Sequence, residues 1–198
     1  MRIQNTSLIF SLFVFFLLNG IGYTQTNGKF LKYGLEFGID KKDAKKILEA
    51  SGYGKVDDVS DSKDIDNIIV DGSVAEGVEP DVEASTQSEL EFYDDRLMST
   101  KVSYSADDML LLKQLENKYL QEFITRYGQP VDKEDVMGIT SWMWKKENYK
   151  ILLNSNSRKK RLAITHIYLP IVSEKYEREF KVKLKGEEPD VAKDTFMR

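Results

Sequence analysis

One stretch decides the fold: ELEFYDDRLMSTKVSYSADDMLLLKQLENKYLQEFITRYGQP, residues 89–130. Apolar and polar residues alternate on both sides of Asp94 and Asp95, which predicts two half-buried strands joined by a tight turn. Apolar residues then recur at helical spacing until a glycine and a proline end the pattern, and Ser105 is the predicted N-cap of this helix. The stretch therefore predicts a β-hairpin followed directly by an amphipathic helix.

Residues 1–22 have the composition of a signal peptide. Arg2 gives a short positive start, residues 8–18 are almost entirely apolar, and Gly20 and Gly22 supply small residues for cleavage. The apolar run is short for a membrane helix, which needs roughly 20 apolar residues. An uncleaved membrane anchor is the alternative, but the pattern favours a cleaved segment and hence an exported protein without a transmembrane domain.

The chain contains no cysteine. This excludes disulfide bonds, a thiolate nucleophile and a cysteine-based zinc site. It also argues against a lipoprotein, because lipid attachment of that type requires a cysteine at the cleavage point. We therefore expect a periplasmic or secreted protein that is held together by its core alone.

The net charge of −4 is unevenly distributed. Residues 57–95 contain 14 acidic residues and a single lysine, which argues against nucleic acid as a partner. Calcium is a further possibility for this region, since Asp57, Asp58, Asp61, Asp64 and Asp66 offer oxygen ligands. Their spacing lacks the central glycine and closing glutamate of an EF-hand, so we predict a solvated loop and no metal or cofactor.

The order of elements predicts an α+β fold. We expect an antiparallel sheet with helices packed on one face, built as two tandem helix-plus-meander units. In the first unit, residues 35–39 form a short strand and Asp40 caps a helix. The predicted ranges are 29–105 for the first unit with an acidic mobile loop at 71–88, 106–171 for the second unit, and 172–198 for a partly disordered C-terminal arm that is either helical or extended.

Signatures of catalysis are missing from the sequence. No nucleophile elbow, zinc-protease motif or nucleotide-binding fingerprint occurs. Trp142, Trp144, Tyr149 and the single histidine, His166, fall in predicted strands and are candidates for a groove that binds a protein. The alternative is that all four are core residues, because sheet aromatics and a lone histidine in an apolar strand usually pack under helices.

Four segments resemble a known superfamily of small exported bacterial domains. They are FGIDKKDAKKIL at 37–48, FYDDRLMSTKVSY at 92–104, RYGQP at 126–130 and GITSWMWKKENYKILL at 138–153. These segments resemble the superfamily of the outer-membrane assembly factor BamE and the β-lactamase inhibitory protein, over residues 29–170. The resemblance implies a binding or scaffolding role in the cell envelope, although the anchoring cysteine of the lipoprotein members is absent.

The sequence thus predicts an exported envelope module that recognises another protein and is not an enzyme. The alternative is an extracytoplasmic hydrolase, which requires two carboxylates in one pocket, roughly 5 to 10 Å apart.

Overall fold

The computed structural model describes residues 30–53, 56–60 and 65–184. Within these ranges the chain forms three helices and eight strands. The helices are α1 (Lys41–Ala50), α2 (Met109–Tyr127) and α3 (Leu169–Leu184). The strands are β1 (Val56–Ser60), β2 (Ile65–Asp71), β3 (Ala84–Tyr93), β4 (Arg96–Ala106), β5 (Asp132–Val136), β6 (Ile139–Lys146), β7 (Tyr149–Asn156) and β8 (Arg161–Tyr168).

All the described strands form one antiparallel sheet in the order β1-β2-β3-β4-β8-β7-β6-β5. Strands β1 to β4 form one meander and β5 to β8 form another. The two meanders meet where β4 pairs with β8, at a seam on which Val102 lies opposite Ile164. We call the side of the sheet that carries these two buried residues the core face, and the other side the polar face.

The predicted architecture of two tandem units with helices on one face is wrong, because the strands form a single sheet with a core that crosses the seam. Buried residues of α1 and α2 belong to the same cluster as core-face residues of both meanders. Helix α3 does not join this cluster. It contributes Ile171 to a separate small cluster with Tyr93 and Met98. The predicted ranges 29–105 and 106–171 therefore do not bury separate cores.

The central hairpin is confirmed. Strands β3 and β4 pair across a two-residue turn at Asp94 and Asp95, which have φ angles of 52° and 61°. Aspartate tolerates this left-handed conformation better than most residues, and it suits the right-handed twist of a hairpin. A β-bulge interrupts the pairing between Glu91 and Phe92, where Met98 is the extra residue on β4.

The N-cap of α1 was predicted correctly, whereas the N-cap of α2 was not. Asp40 caps α1 as expected, and its Oδ1 accepts a hydrogen bond of 2.8 Å from the amide of Lys42. The predicted cap at Ser105 is wrong, because Ser105 pairs with Arg161 in the sheet and β4 continues past it. Asp108 caps α2 instead and accepts from the amide of Leu111 at 2.8 Å.

The two edge strands of the sheet, β1 and β5, were not predicted from the sequence. A strand was predicted at residues 35–39, and the structure has none there. That segment contains a turn, and the isolated bridge that follows it joins Asp40 to Arg96. Strands β1 and β5 read VDDVS and DKEDV, with little of the apolar alternation that marks a half-buried strand. Charges on an edge strand disfavour pairing with the edge of another chain.

The acidic segment 71–88, predicted to be a mobile loop, is packed into the core. Strands β2 and β3 take up its two ends, and Val74, Ala75 and Val78 in the connection are fully buried. The carbonyl of Glu79 accepts hydrogen bonds from the hydroxyls of Tyr104 and Tyr119, at 2.7 and 2.9 Å. Sequence periodicity cannot reveal such packing, because an irregular segment buries its apolar residues at irregular intervals.

The predicted C-terminal arm, residues 172–198, is helical as far as α3 extends. The predicted signal peptide at 1–22 and the predicted disordered end lie outside the described residues. Within the described ranges, no helix has the length and apolar content needed to cross a membrane.

Candidate functional site

The four residues predicted to form a binding groove lie together on the core face. Trp142, Trp144 and His166 are 5%, 1% and 1% exposed, and Tyr149 is half-buried. They alternate with polar-face residues on β6, β7 and β8, and all four pack in or against the main core cluster. Their burial matches the alternative interpretation as core residues, since it leaves the tryptophans and the histidine almost no surface for a partner.

The contacts of these residues explain why they are buried. The indole Nε1 of Trp144 donates a hydrogen bond of 2.8 Å to the carbonyl of Gly128, which ends α2 with a φ of 84°. This satisfies a carbonyl at the helix C-terminus. The ring of Trp144 also meets Phe123 of α2 edge to face, with 5.5 Å between ring centroids. Trp144 therefore anchors the end of α2 to the sheet.

His166 is held neutral by its surroundings. Burial, together with the positive charge of Arg126, lowers the pKa of His166 to about 4. Its ring lies 5.5 Å from Phe30 and 6.4 Å from Phe123 between centroids, and within the described chain its Nδ1 has no hydrogen-bond partner. A neutral imidazole that has almost no solvent access, and whose Nδ1 has no hydrogen-bond partner within the described chain, is not suited to acid–base chemistry at neutral pH.

A better candidate is a depression on the polar face, where β2, β3, β4 and β8 run side by side. Its volume is about 480 Å³. It is lined by two carboxylates, one lysine, three neutral polar residues and one apolar residue: Glu89, Glu91, Lys101, Asn67, Ser99, Thr165 and Ile65. We call this the polar-face depression.

The register of the central hairpin sets the charges in this depression. Glu89 lies opposite Lys101, and Glu91 lies opposite Ser99. The Nζ of Lys101 is 2.6 Å from the Oε2 of Glu89, and the Oγ of Ser99 donates to the Oε2 of Glu91 at 2.7 Å. The two carboxylates occupy successive polar-face positions of β3, which a strand spaces about 7 Å apart.

Asn67 is the unusual member of the set. It is 8% exposed, and its Oδ1 has no hydrogen-bond partner among the described residues. Most buried polar atoms in proteins are hydrogen-bonded, and leaving one unpaired costs about 1–3 kcal/mol. Since β2 pairs with β3, Asn67 lies directly opposite Glu91, so the unpaired acceptor and a carboxylate are neighbours.

No family model, curated protein or solved structure matches this chain. The polar-face depression is therefore interpreted from its own chemistry.

A metal site finds no support within the described ranges, where no three His, Cys, Asp or Glu residues are placed to hold an ion. Of the aspartates considered for calcium, Asp61 and Asp64 lie outside the described residues. Asp58 and Asp66 instead form ion pairs with Lys41, at 2.6 and 3.2 Å.

Sequence reasoning did not select the residues of the depression as a site. The alternation in residues 89–103 had already placed Glu89, Glu91, Ser99 and Lys101 on the side away from the core, so the signal was present. The predicted groove consisted mainly of aromatic residues, and in this sheet those residues belong to the core. The sequence gives no indication that Asn67 belongs to a site, because its burial depends on residues of neighbouring strands.

Proposed function

We propose that this protein is an exported envelope binding module that holds another protein against the polar face of its sheet. The main observation behind the proposal is the polar-face depression. In it, the unpaired buried acceptor of Asn67 lies on the same side of the sheet as two carboxylates. The signal-peptide pattern at residues 1–22 and the resemblance to the BamE and β-lactamase inhibitory protein superfamily support the location and the class of function.

The composition of the polar face supports a protein partner. Half-buried apolar side chains, among them Ile69, Leu152 and Ile167, stand between charged and neutral polar residues on this face. Interfaces between proteins that also exist separately have such a mixture, with slightly more than half of the area apolar. A face of this kind tolerates water when it is free and excludes water when it is bound.

Site-specific photo-crosslinking in the native host tests this proposal. A photoreactive amino acid replaces Thr165 in the depression or, as a matched control, Gln121 on the exposed side of α2. We expect one envelope protein to be captured from position 165 and not from position 121. Leu152→Glu, which places a charge among the half-buried apolar side chains of the polar face, should reduce that capture while the fold is retained. Equal capture from both positions, or none from 165, would refute the proposal.

A second candidate function is hydrolysis by paired carboxylates, because Glu89 and Glu91 line one depression. They are alternate residues of β3, which a strand spaces about 7 Å apart, and glycosidases use two carboxylates at roughly 5 to 10 Å. Each carboxylate, however, already accepts a hydrogen bond from within the sheet. A panel of glycoside substrates tests this function. Activity that disappears in both Glu89→Gln and Glu91→Gln would favour the hydrolase, and the absence of any turnover would leave binding as the function.

A further inference from the structure

We propose that the polar-face depression receives a cationic side chain, arginine or lysine, of the bound partner. Asn67 and Glu91 accept its hydrogen bonds, and Ile65 contacts its aliphatic stem. This inference rests on the proposed binding function and names the chemistry that the depression selects.

The Oδ1 of Asn67 has an unused capacity to accept a hydrogen bond within the described chain. Asn67 is more than nine-tenths buried and lines the depression, yet its acceptor has no partner within the described chain. Buried acceptors are rarely left in this state. A ligand that brings an N–H group into the depression satisfies this acceptor, whereas a ligand with only acceptor atoms does not.

The charged residues of the polar-face depression determine whether it favours a cationic or an anionic ligand. Among the described residues, Lys101 is the only cation that lines the depression, and it is paired with Glu89. The carboxylate of Glu91 is held by a neutral donor, the hydroxyl of Ser99, so its negative charge is not balanced by that contact. The three charged residues therefore sum to one negative charge, which disfavours an anion and favours a single cation.

The geometry suits a planar group with several donors. Asn67 on β2 and Glu91 on β3 are opposite each other, and neighbouring strands lie about 4.8 Å apart. A guanidinium group carries five N–H donors in a fixed fork and can donate to both residues at once. An ammonium group can also bridge them, but it matches a bidentate arrangement less well. Arginine is therefore the better fit of the two.

Ile65 supplies the apolar part of the site. It is half-buried at the start of β2, and on the polar face it precedes Asn67 by two positions. Long cationic side chains place their methylene groups along apolar surface while the charged end reaches polar groups. A free metal cation would gain nothing from this contact, and a calcium ion needs six or more oxygen ligands.

The test uses N-acetyl-arginine amide as the probe and the neutral N-acetyl-citrulline amide as its matched control, with binding followed by NMR of the backbone amides. We expect saturable shifts at Asn67, Glu91 and Ser99 with the arginine compound, and at least fivefold weaker binding of the citrulline compound. Glu91→Gln, which keeps the acceptor for Ser99, should weaken binding of the arginine compound at least fivefold. Glu134→Gln on the same face but outside the depression should not.

Asn67→Leu separates a binding role from a structural one. If the Oδ1 of Asn67 is unpaired in the free protein and accepts a hydrogen bond from the ligand, this variant should unfold at a higher temperature than the wild type. It should also bind the arginine compound at least fivefold more weakly. A lower unfolding temperature would show that Asn67 is a structural residue and would overturn the inference. Equal binding of the arginine and citrulline compounds, or no saturable shift with either, would also overturn it.

The two proposals fail in different ways. If a protein is captured at position 165 but Asn67→Leu and Glu91→Gln leave that capture unchanged, the binding module stands and the cationic site is refuted. If the arginine compound binds as expected but no protein is captured, the cationic site stands and the proposed function is refuted.

Discussion

His166 should make the fold sensitive to mild acid. Burial and the charge of Arg126 lower its pKa in the folded protein to about 4, whereas histidine in an unfolded chain titrates near 6.5. Between these values the unfolded chain binds a proton that the folded protein does not bind, so the free energy of unfolding falls as the pH falls. From pH 7 to pH 5 the expected loss is about 2 kcal/mol.

Urea unfolding at a series of pH values between 7 and 5 measures this loss, with the fluorescence of the buried Trp142 and Trp144 as the signal. The chain has only one histidine, and carboxylates titrate mainly below this range. The matched variant His166→Phe keeps an aromatic ring and should abolish most of the pH dependence. If the wild type loses no stability, or the variant loses as much, the reasoning from a neutral buried histidine is wrong.

Three further substitutions test the packing by the same urea unfolding. Asp95→Gly should stabilise the protein by up to about 1 kcal/mol, because glycine relieves the left-handed backbone of the turn; a loss would contradict that reason. Trp144→Phe should destabilise it by about 1–3 kcal/mol, since the carbonyl of Gly128 loses its donor, and an unchanged midpoint would show that the hydrogen bond contributes little. Tyr104→Phe should cost about 1–2 kcal/mol and speed hydrogen exchange in the segment around Glu79; unchanged exchange there would show that the hydroxyl does not hold the segment.

The sequence predicted the elements whose signals are local. The alternation around Asp94 and Asp95 was enough to place the central hairpin, and Asp40 was recognised as a cap because the residues it serves follow it directly. Ser105 was misjudged for the opposite reason. Its backbone is taken up by pairing with Arg161, a residue far away in the chain, which no local pattern reveals.

The candidate site depends on one irregularity that the sequence does not show. Without the β-bulge, a regular hairpin closed at Asp94 and Asp95 would place Met98 opposite Glu91. The extra residue shifts the register by one, so that Ser99 reaches Glu91 and Lys101 reaches Glu89. Met98 has no partner in this strand pairing and packs with Ile171 of α3. The positions of the charged residues on the polar face therefore depend on this one extra residue.

The seam between β4 and β8 also has a consequence for how the chain folds. Among the described strands, every other pairing joins neighbours in sequence, through a connection much shorter than the segment that separates β4 from β8. The seam requires residues near Ser105 to find residues near Arg161, with α2 and three strands in between. Long loops cost more entropy to close and slow the pairing of the strands that they join. Pulsed hydrogen exchange should therefore protect the hairpins first and the amides of the seam last, as the rate-limiting step of folding.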